Sequence, residues 1–220
     1  MDLGVVNIIT AWIEGERLLI AFSGKPLLAD WWYWTHKIAH DQSIAKKVSG
    51  VDTTKRIRKY YRKRKLRFRH AVNTIVYRFV KLCYEKDVTE IIVGDVKGIR
   101  ENNNKSSKVN TMIHNFWSFR YIINRLITTA ENFGIKVKLV KEEYTSSVCP
   151  RCGSTNVYKH KRLFKLNCGL EAHRDVVGVL NIARLSARTG GFNGALASPV
   201  SMGETRRSTN LPAGNPRTLQ

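Results

Sequence analysis

The 220-residue chain predicts an α/β fold: a mixed sheet flanked by helices. Three observations point there. Two short runs rich in Val, Ile and Leu open the chain. Two further runs of strand length follow later. Two long stretches with helical apolar spacing lie between and around those later runs, long enough to cover a sheet.

Residues 2–13 and 17–22 read as two antiparallel strands, joined by a tight turn at "EGE". The next stretch, "GKPLLADWWYWTHKIAHDQSIAKK", receives no element assignment, because Pro26 blocks a simple continuation of the strand. Trp31, Trp32 and Trp34 within it form a local apolar anchor in one reading and a base-stacking platform in the other. Residues 54–86 form the longest helical pattern. Its second half sets Ile75, Phe79, Leu82 and Cys83 at burial spacing, and a small buried hydrophobe is the reading for Cys83.

"TEIIVGDV" at 89–96 reads as a short buried strand, and "ENNNKSSK" as a polar loop. A second helix is expected over 109–133, with Ile113, Phe116, Trp117, Ile123, Leu126 and Ile127 mostly on one side. "GIKVKLVKEE" is a further strand, and a last helix spans 175–188. The tail from 189 to 220 is rich in Gly, Ser, Thr, Asn and Pro and reads as mobile.

Charge narrows the function. The 38 Lys and Arg against 17 Asp and Glu leave +21, which suits a polyanion such as nucleic acid. Much of it lies in "TKRIRKYYRKRKLRFRH" at 54–70. There Lys55, Arg56, Arg58, Lys59, Arg62, Lys63 and Arg64 would track phosphates, with Tyr60, Tyr61 and Phe68 as stacking groups. The bland alternative is a solvated helix face with its rings turned inward. No apolar run approaches the roughly 18 residues of a membrane span, so a membrane partner is not expected. Four cysteines are too few for a disulfide scaffold, and a reducing, cytoplasmic setting is expected.

"CPRCG" holds Cys149 and Cys152 at the spacing of a zinc knuckle, and Cys168 is followed by Gly169 in the same way. The partner expected at position 165 is a lysine. His160 or His173 would supply a fourth ligand; otherwise Zn²⁺ is held weakly or lost. His36 and His40 read as ordinary surface or packing groups. Asp175, at a helix start, caps that helix in the plain reading. Together with Asp2 and Asp95 it forms a set of acids that can converge at one end of a sheet and hold two Mg²⁺ ions.

"DLG", "IIVGDVKGIR", "YTSSVCPRCG" and "CGLEAHRDVVGVLNIA", in that order, resemble the TnpB (OrfB) proteins of insertion sequences. The resemblance covers residues 2 to about 188. It implies an RNase H-like (RuvC-type) nuclease domain with an inserted zinc ribbon, acting as an RNA-guided, Mg²⁺-dependent DNA endonuclease encoded with a transposon. DNA and a guide RNA are the implied partners. Asp2 and Asp175 would be the first and third catalytic acids, and Cys149, Cys152 and Cys168 three of four ribbon ligands. The domain reading is 1–144 for the first part of the nuclease core, 145–172 for the ribbon, 173–188 for the last core helix and 189–220 for the tail.

Three departures from the family pattern stand out. The family's large N-terminal region is missing, which reads as truncation. Its middle acid, a glutamate, aligns with Gly94, with Asp95 one residue along. The ribbon lacks one cysteine near Lys165. Impaired cleavage is therefore expected. The alternative is a non-catalytic, basic nucleic-acid-binding remnant of such a nuclease.

Overall fold

The structure, a computed structural model, describes residues 1–95, 116, 118–141, 148–155, 157–160, 162–166 and 168–186. The expected polar loop at 101–108, the start of the helix expected at 109, with Ile113 and Trp117, and the tail lie outside the described residues.

The first expected strand divides into two parts. β1 is Asn7–Ala11 and pairs antiparallel with β2, Ile20–Ser23, through a register shift between Asn7 and Ile9. Upstream, Asp2 forms its own antiparallel bridge to Thr10, with amide–carbonyl bonds of 2.8 and 2.9 Å. Gly4 permits the turn between them, because a Cβ there would lie 2.9 Å from the Asn7 carbonyl oxygen.

The unassigned stretch is α1, Lys25–Ser49, a 25-residue helix. Pro26 sits in its first turn, where a missing N–H costs nothing, so it starts the helix rather than blocking an element. Leu27, Trp31, Trp34 and Ile38 form its buried stripe, as expected for an apolar anchor. α2, Lys55–Glu85, matches the expected helix to within a residue at each end. Val72, Ile75, Val76, Phe79, Val80 and Cys83 recur at helical spacing and are buried. Burial pushes the Cys83 thiol up to about 12, consistent with an inert packing role.

Arg67 grips Asp30, Arg64 donates to Thr35 Oγ1, and Arg56 pairs with Asp41. The reversed order of these partners makes α1 and α2 an antiparallel hairpin. Thr54 caps α2 by accepting from the Ile57 amide at 3.3 Å. Thr54→Ala should cost about 1 kcal/mol, read as a lower urea midpoint at unchanged slope.

β3, Glu90–Asp95, pairs in parallel with β4, Lys136–Lys141, and α3, Phe119–Glu131, connects back to β4. The Met1 amino group donates to the Ile92 carbonyl at 2.8 Å, and the Gly94 amide donates to the Met1 carbonyl at 3.2 Å. These bonds set Met1 opposite Val93. Residues 1–2 thus lie between β1 and β3, so hydrogen bonds run across β2, β1, residues 1–2, β3 and β4. Met1, Leu3, Ile9, Ile91 and Val93 join the main core with α1, α2 and α3.

Past residue 148 comes a small antiparallel sheet: β5 (Val157–His160), β6 (Leu163–Leu166) and β7 (Glu171–His173). Its apolar centre is slight: Phe164, Ala172 and Val177. α4, Arg174–Ser186, follows directly and packs against β1 and β3.

Candidate functional site

Strand alternation decides which acids meet. Met1, Leu3, Ile91 and Val93 point into the main core, so Asp2 and Gly94 share the opposite face of the sheet. α4 lies on that face. A Cβ on its Gly178 would stand 3.1 Å from Asp2 Oδ2, so glycine leaves room for the carboxylate. The bulge before Ile9 sends Asn7 to the same side, where its Nδ2 donates to Asp175 Oδ2 at 2.8 Å.

Asp175 is buried in the first turn of α4. Arg162, in the turn just before β6, reaches its Oδ2 at 3.4 Å, and His173 Nδ1 lies 3.6 Å away. The Asp175 amide donates to His173 Nδ1 at 3.3 Å. Burial pushes the His173 pKa down; the Asp175 charge opposes this, and Arg162 and Arg174 add to it.

The pKa of Asp2 is raised. Burial first, then the like charge of Asp175, push it from 3.8 up to about 6, against the pull of the N-terminal amino group, Arg174 and the Leu3 amide. Two carboxylates held together at such a place favour a shared proton or a cation. Oxygen donors of this kind suit Mg²⁺.

Asp95 does not join this pair. β3 continues in register through Asp95, opposite Lys141, instead of breaking at Gly94. Alternation therefore groups Asp95 with Ile91 and Val93, and a glycine occupies the strand position that faces Asp2. Asn7, Gly178 and Arg162 were not anticipated from the sequence. They act through contacts across the fold, which leave no local signal.

The thiols do converge. The sulfurs of Cys149, Cys152 and Cys168 lie within 4.8 Å of one another, the only such group of three or more metal-ligating side chains among the described residues. Cys149 Sγ lies 3.5 Å from Cys168 Sγ, and the amides of Arg151 and Cys152 donate to it at 3.4 and 3.5 Å. Gly153 and Gly169 take left-handed φ of 76° and 77°, which lets both turns close. This donor set fits zinc. His160 and His173 stay outside the trio, and Lys165 pairs with Glu171 at 2.7 Å. α4 holds the knuckle, with Asn181 donating to the Val148 carbonyl and Arg184 to that of Cys149.

On α2, Lys55, Arg58, Lys59, Arg62 and Lys63 are exposed, whereas Arg64 is half-buried. Arg56 is already engaged by Asp41 and the Tyr60 hydroxyl, and Lys63 lies over Trp34 at 5.0 Å.

Two family models match this chain. One, OrfB_IS605, described as "Probable transposase", matches residues 1–100; the other, "Cas12f1-like, TNB domain", matches residues 119–182. These matches support a TnpB/OrfB family protein. TnpB-like protein ORF457 of Acidianus two-tailed virus is 22% identical over 191 residues, covering 84% of this chain and 40% of the relative. TnpB-like protein MJ0751 of Methanocaldococcus jannaschii is 35% identical over 104 residues, covering 47% of this chain and 37% of the relative.

Among solved structures, the mixed helix–sheet fold resembles Cas12f1 in a complex with sgRNA and target DNA, with a TM-score of 0.60 at 16% identity. That match covers 82% of this chain and 48% of the other. A CRISPR-Cas12f ternary complex gives a TM-score of 0.58 at 15% identity, covering 82% and 37%. The chain therefore spans less than half the length of each of these relatives. None of its described helices is long and apolar enough to cross a membrane.

Proposed function

We propose that this chain carries the nuclease centre of a transposon-associated, RNA-guided DNA endonuclease. Asp2 and Asp175 hold Mg²⁺, and Cys149, Cys152 and Cys168 hold Zn²⁺. The basic face of α2 binds nucleic acid. The observation that carries this reading is the seating of Asp2 and Asp175 on one face of the sheet, where Asn7 holds Asp175 and Gly178 leaves room for Asp2; burial first, and the Asp175 charge second, raise Asp2 to about 6. Bound Mg²⁺ would activate water for attack on a phosphodiester and stabilise the leaving oxygen.

The chain's own groups prepare that step. Asn7 fixes one Asp175 oxygen, and Gly178 keeps space beside Asp2. Exposed cations on α2 attract the strand without reading its sequence. The sheet order β2, β1, residues 1–2, β3 and β4 supports the RNase H-like assignment. It combines two antiparallel neighbours with two parallel ones around the first acid. The guide RNA and target DNA are assigned by likeness to the Cas12f1 complex.

The test is cleavage of single-stranded DNA in Mg²⁺ by the purified chain and by Asp175→Ala. Cutting by the first and not by the second is expected. Equal residual cutting in the two overturns the catalytic assignment.

A second reading, a basic binder without chemistry, is favoured by Gly94 at the strand position facing Asp2. Gly94→Glu separates the two. Under the nuclease reading, the added carboxylate should tighten Mg²⁺ binding about tenfold or more by calorimetry and increase cutting. No change in either would favour the binder.

A further inference from the structure

A cavity of about 560 Å³ opens between α1, α2 and the start of α3, away from the acids and the thiols. Tyr61, Phe68 and Tyr121 form its aromatic wall. Arg62, Arg64, Lys65 and Arg69 also line it, and no acidic residue does so among the described residues. None of these four cations has a carboxylate partner among the described residues, although Arg67 and Arg56 on the same helix do.

Arg64 is the informative one. It is half-buried, its guanidinium lies between Trp31 at 5.1 Å and Tyr61 at 5.2 Å, and its hydrogen bond goes to the neutral Thr35 hydroxyl. Burial lowers its pKa, the sign of a desolvated cation, and Tyr61 opposes the shift only in part. Arg69 stacks in the same way on Tyr121 at 5.2 Å. A solvated helix face needs neither a concave aromatic wall nor an uncompensated, half-buried guanidinium.

Ligand sites are typically cavities of about 300–1,000 Å³ with aromatic walls and a few placed polar groups. Here the walls offer ring and guanidinium planes, and the rim offers positive charge without acid. A flat π-system carrying a phosphate satisfies both. We propose that this cavity receives one unpaired nucleotide of a strand bound along α2, its base against Tyr61, Phe68 and Tyr121 and its phosphate beside Arg62, Lys65 and Arg69. A strand, rather than a free nucleotide, is the source, because the exposed cations of α2 continue from the cavity toward Lys55. The proposal rests on the nucleic-acid reading above and adds to it a contact that senses bases.

The experiment uses fluorescence anisotropy with two labelled single strands of about 15 nucleotides. One is oligothymidine, and the other is an abasic strand with the same phosphates. The whole chain should bind oligothymidine about tenfold or more tighter than the abasic strand. Tyr61→Ala and Tyr121→Leu should each weaken oligothymidine binding severalfold and leave the abasic strand unchanged. Arg58→Ala, outside the cavity, should weaken both strands alike. Equal affinity of the whole chain for the two strands overturns the cavity assignment while leaving phosphate binding intact. So do tyrosine variants that weaken both strands equally, or neither. Failure to bind either strand overturns the nucleic-acid reading itself, and the cavity assignment with it.

Discussion

Replacing Cys149 with serine is expected to abolish zinc binding and to unfold residues 148–173 while the main core stays folded. The unit has little else to hold it. Its apolar centre is only Phe164 and Ala172, set against Val177 of α4, compared with more than twenty buried residues in the main core. Structural zinc contributes roughly 10–16 kcal/mol of apparent binding energy in small domains, and that energy is folding energy. Cys149 is the sulfur on which the knuckle converges: it is fully buried, it lies 3.5 Å from Cys168, and two backbone amides donate to it. A serine oxygen is a harder and less acidic donor than a thiol.

Metal content of one zinc per chain in the parent and none in the variant is the expected outcome. Hydrogen exchange should rise across β5 to β7 but not across α2. A strong chelator should reproduce the pattern. The loss should also reach Asp175, because Arg162, in the turn just before β6, contacts that carboxylate and Arg184 holds the Cys149 carbonyl. A variant that keeps the parent zinc stoichiometry would remove the thiolate site.

The particular residues show why some of this was legible in the sequence. α2 could be read to within a residue because Val72, Ile75, Val76, Phe79, Val80 and Cys83 repeat with the helix period, which is a local signal. α1 could not. Its stripe is built from bulky tryptophans set among Tyr33, Thr35 and His36, and Pro26 signals either a break or a first turn. The thiol trio was legible because knuckle spacing is local. The acids were read as a set of three that can converge at one end of a sheet, and family resemblance then gave Asp2 and Asp175 their order; which of the three share a face depends on strand register, which no local window shows. Illegible altogether was the seat of residues 1–2 between β1 and β3. The Met1–Ile92 bond spans 91 residues and leaves no trace in any sequence window. The offset at Asp95 is the opposite case: the sequence itself places this acid one residue past the family's middle acid, and because β3 keeps its register through Asp95, alternation turns it to the other face.

Asp2→Asn is expected to stabilise the metal-free chain at neutral pH and to remove its response to Mg²⁺. The carboxyl titrates at about 6 in the folded chain against 3.8 for its ordinary value. Between those two values the folded state holds the proton more tightly than the unfolded state does. Stability therefore falls as pH rises through that window, and the whole penalty applies above it. A difference of about two pH units corresponds to at most about 3 kcal/mol. Asparagine keeps the size and cannot ionise, so it escapes the penalty.

In a chelator, the variant and the parent should unfold at similar urea concentrations near pH 4. The variant should be the more stable near pH 8. Added Mg²⁺ reverses the order, because a cation between Asp2 and Asp175 binds only the folded parent and stabilises it by mass action. The variant has lost half of that carboxylate pair and should show no shift. A variant less stable than the parent at pH 8 in chelator would mean that the Asp2 charge is already satisfied by the N-terminal amino group and Arg174. The argument that the pair awaits a cation would then fail. Equal Mg²⁺ shifts in parent and variant would place the ion elsewhere.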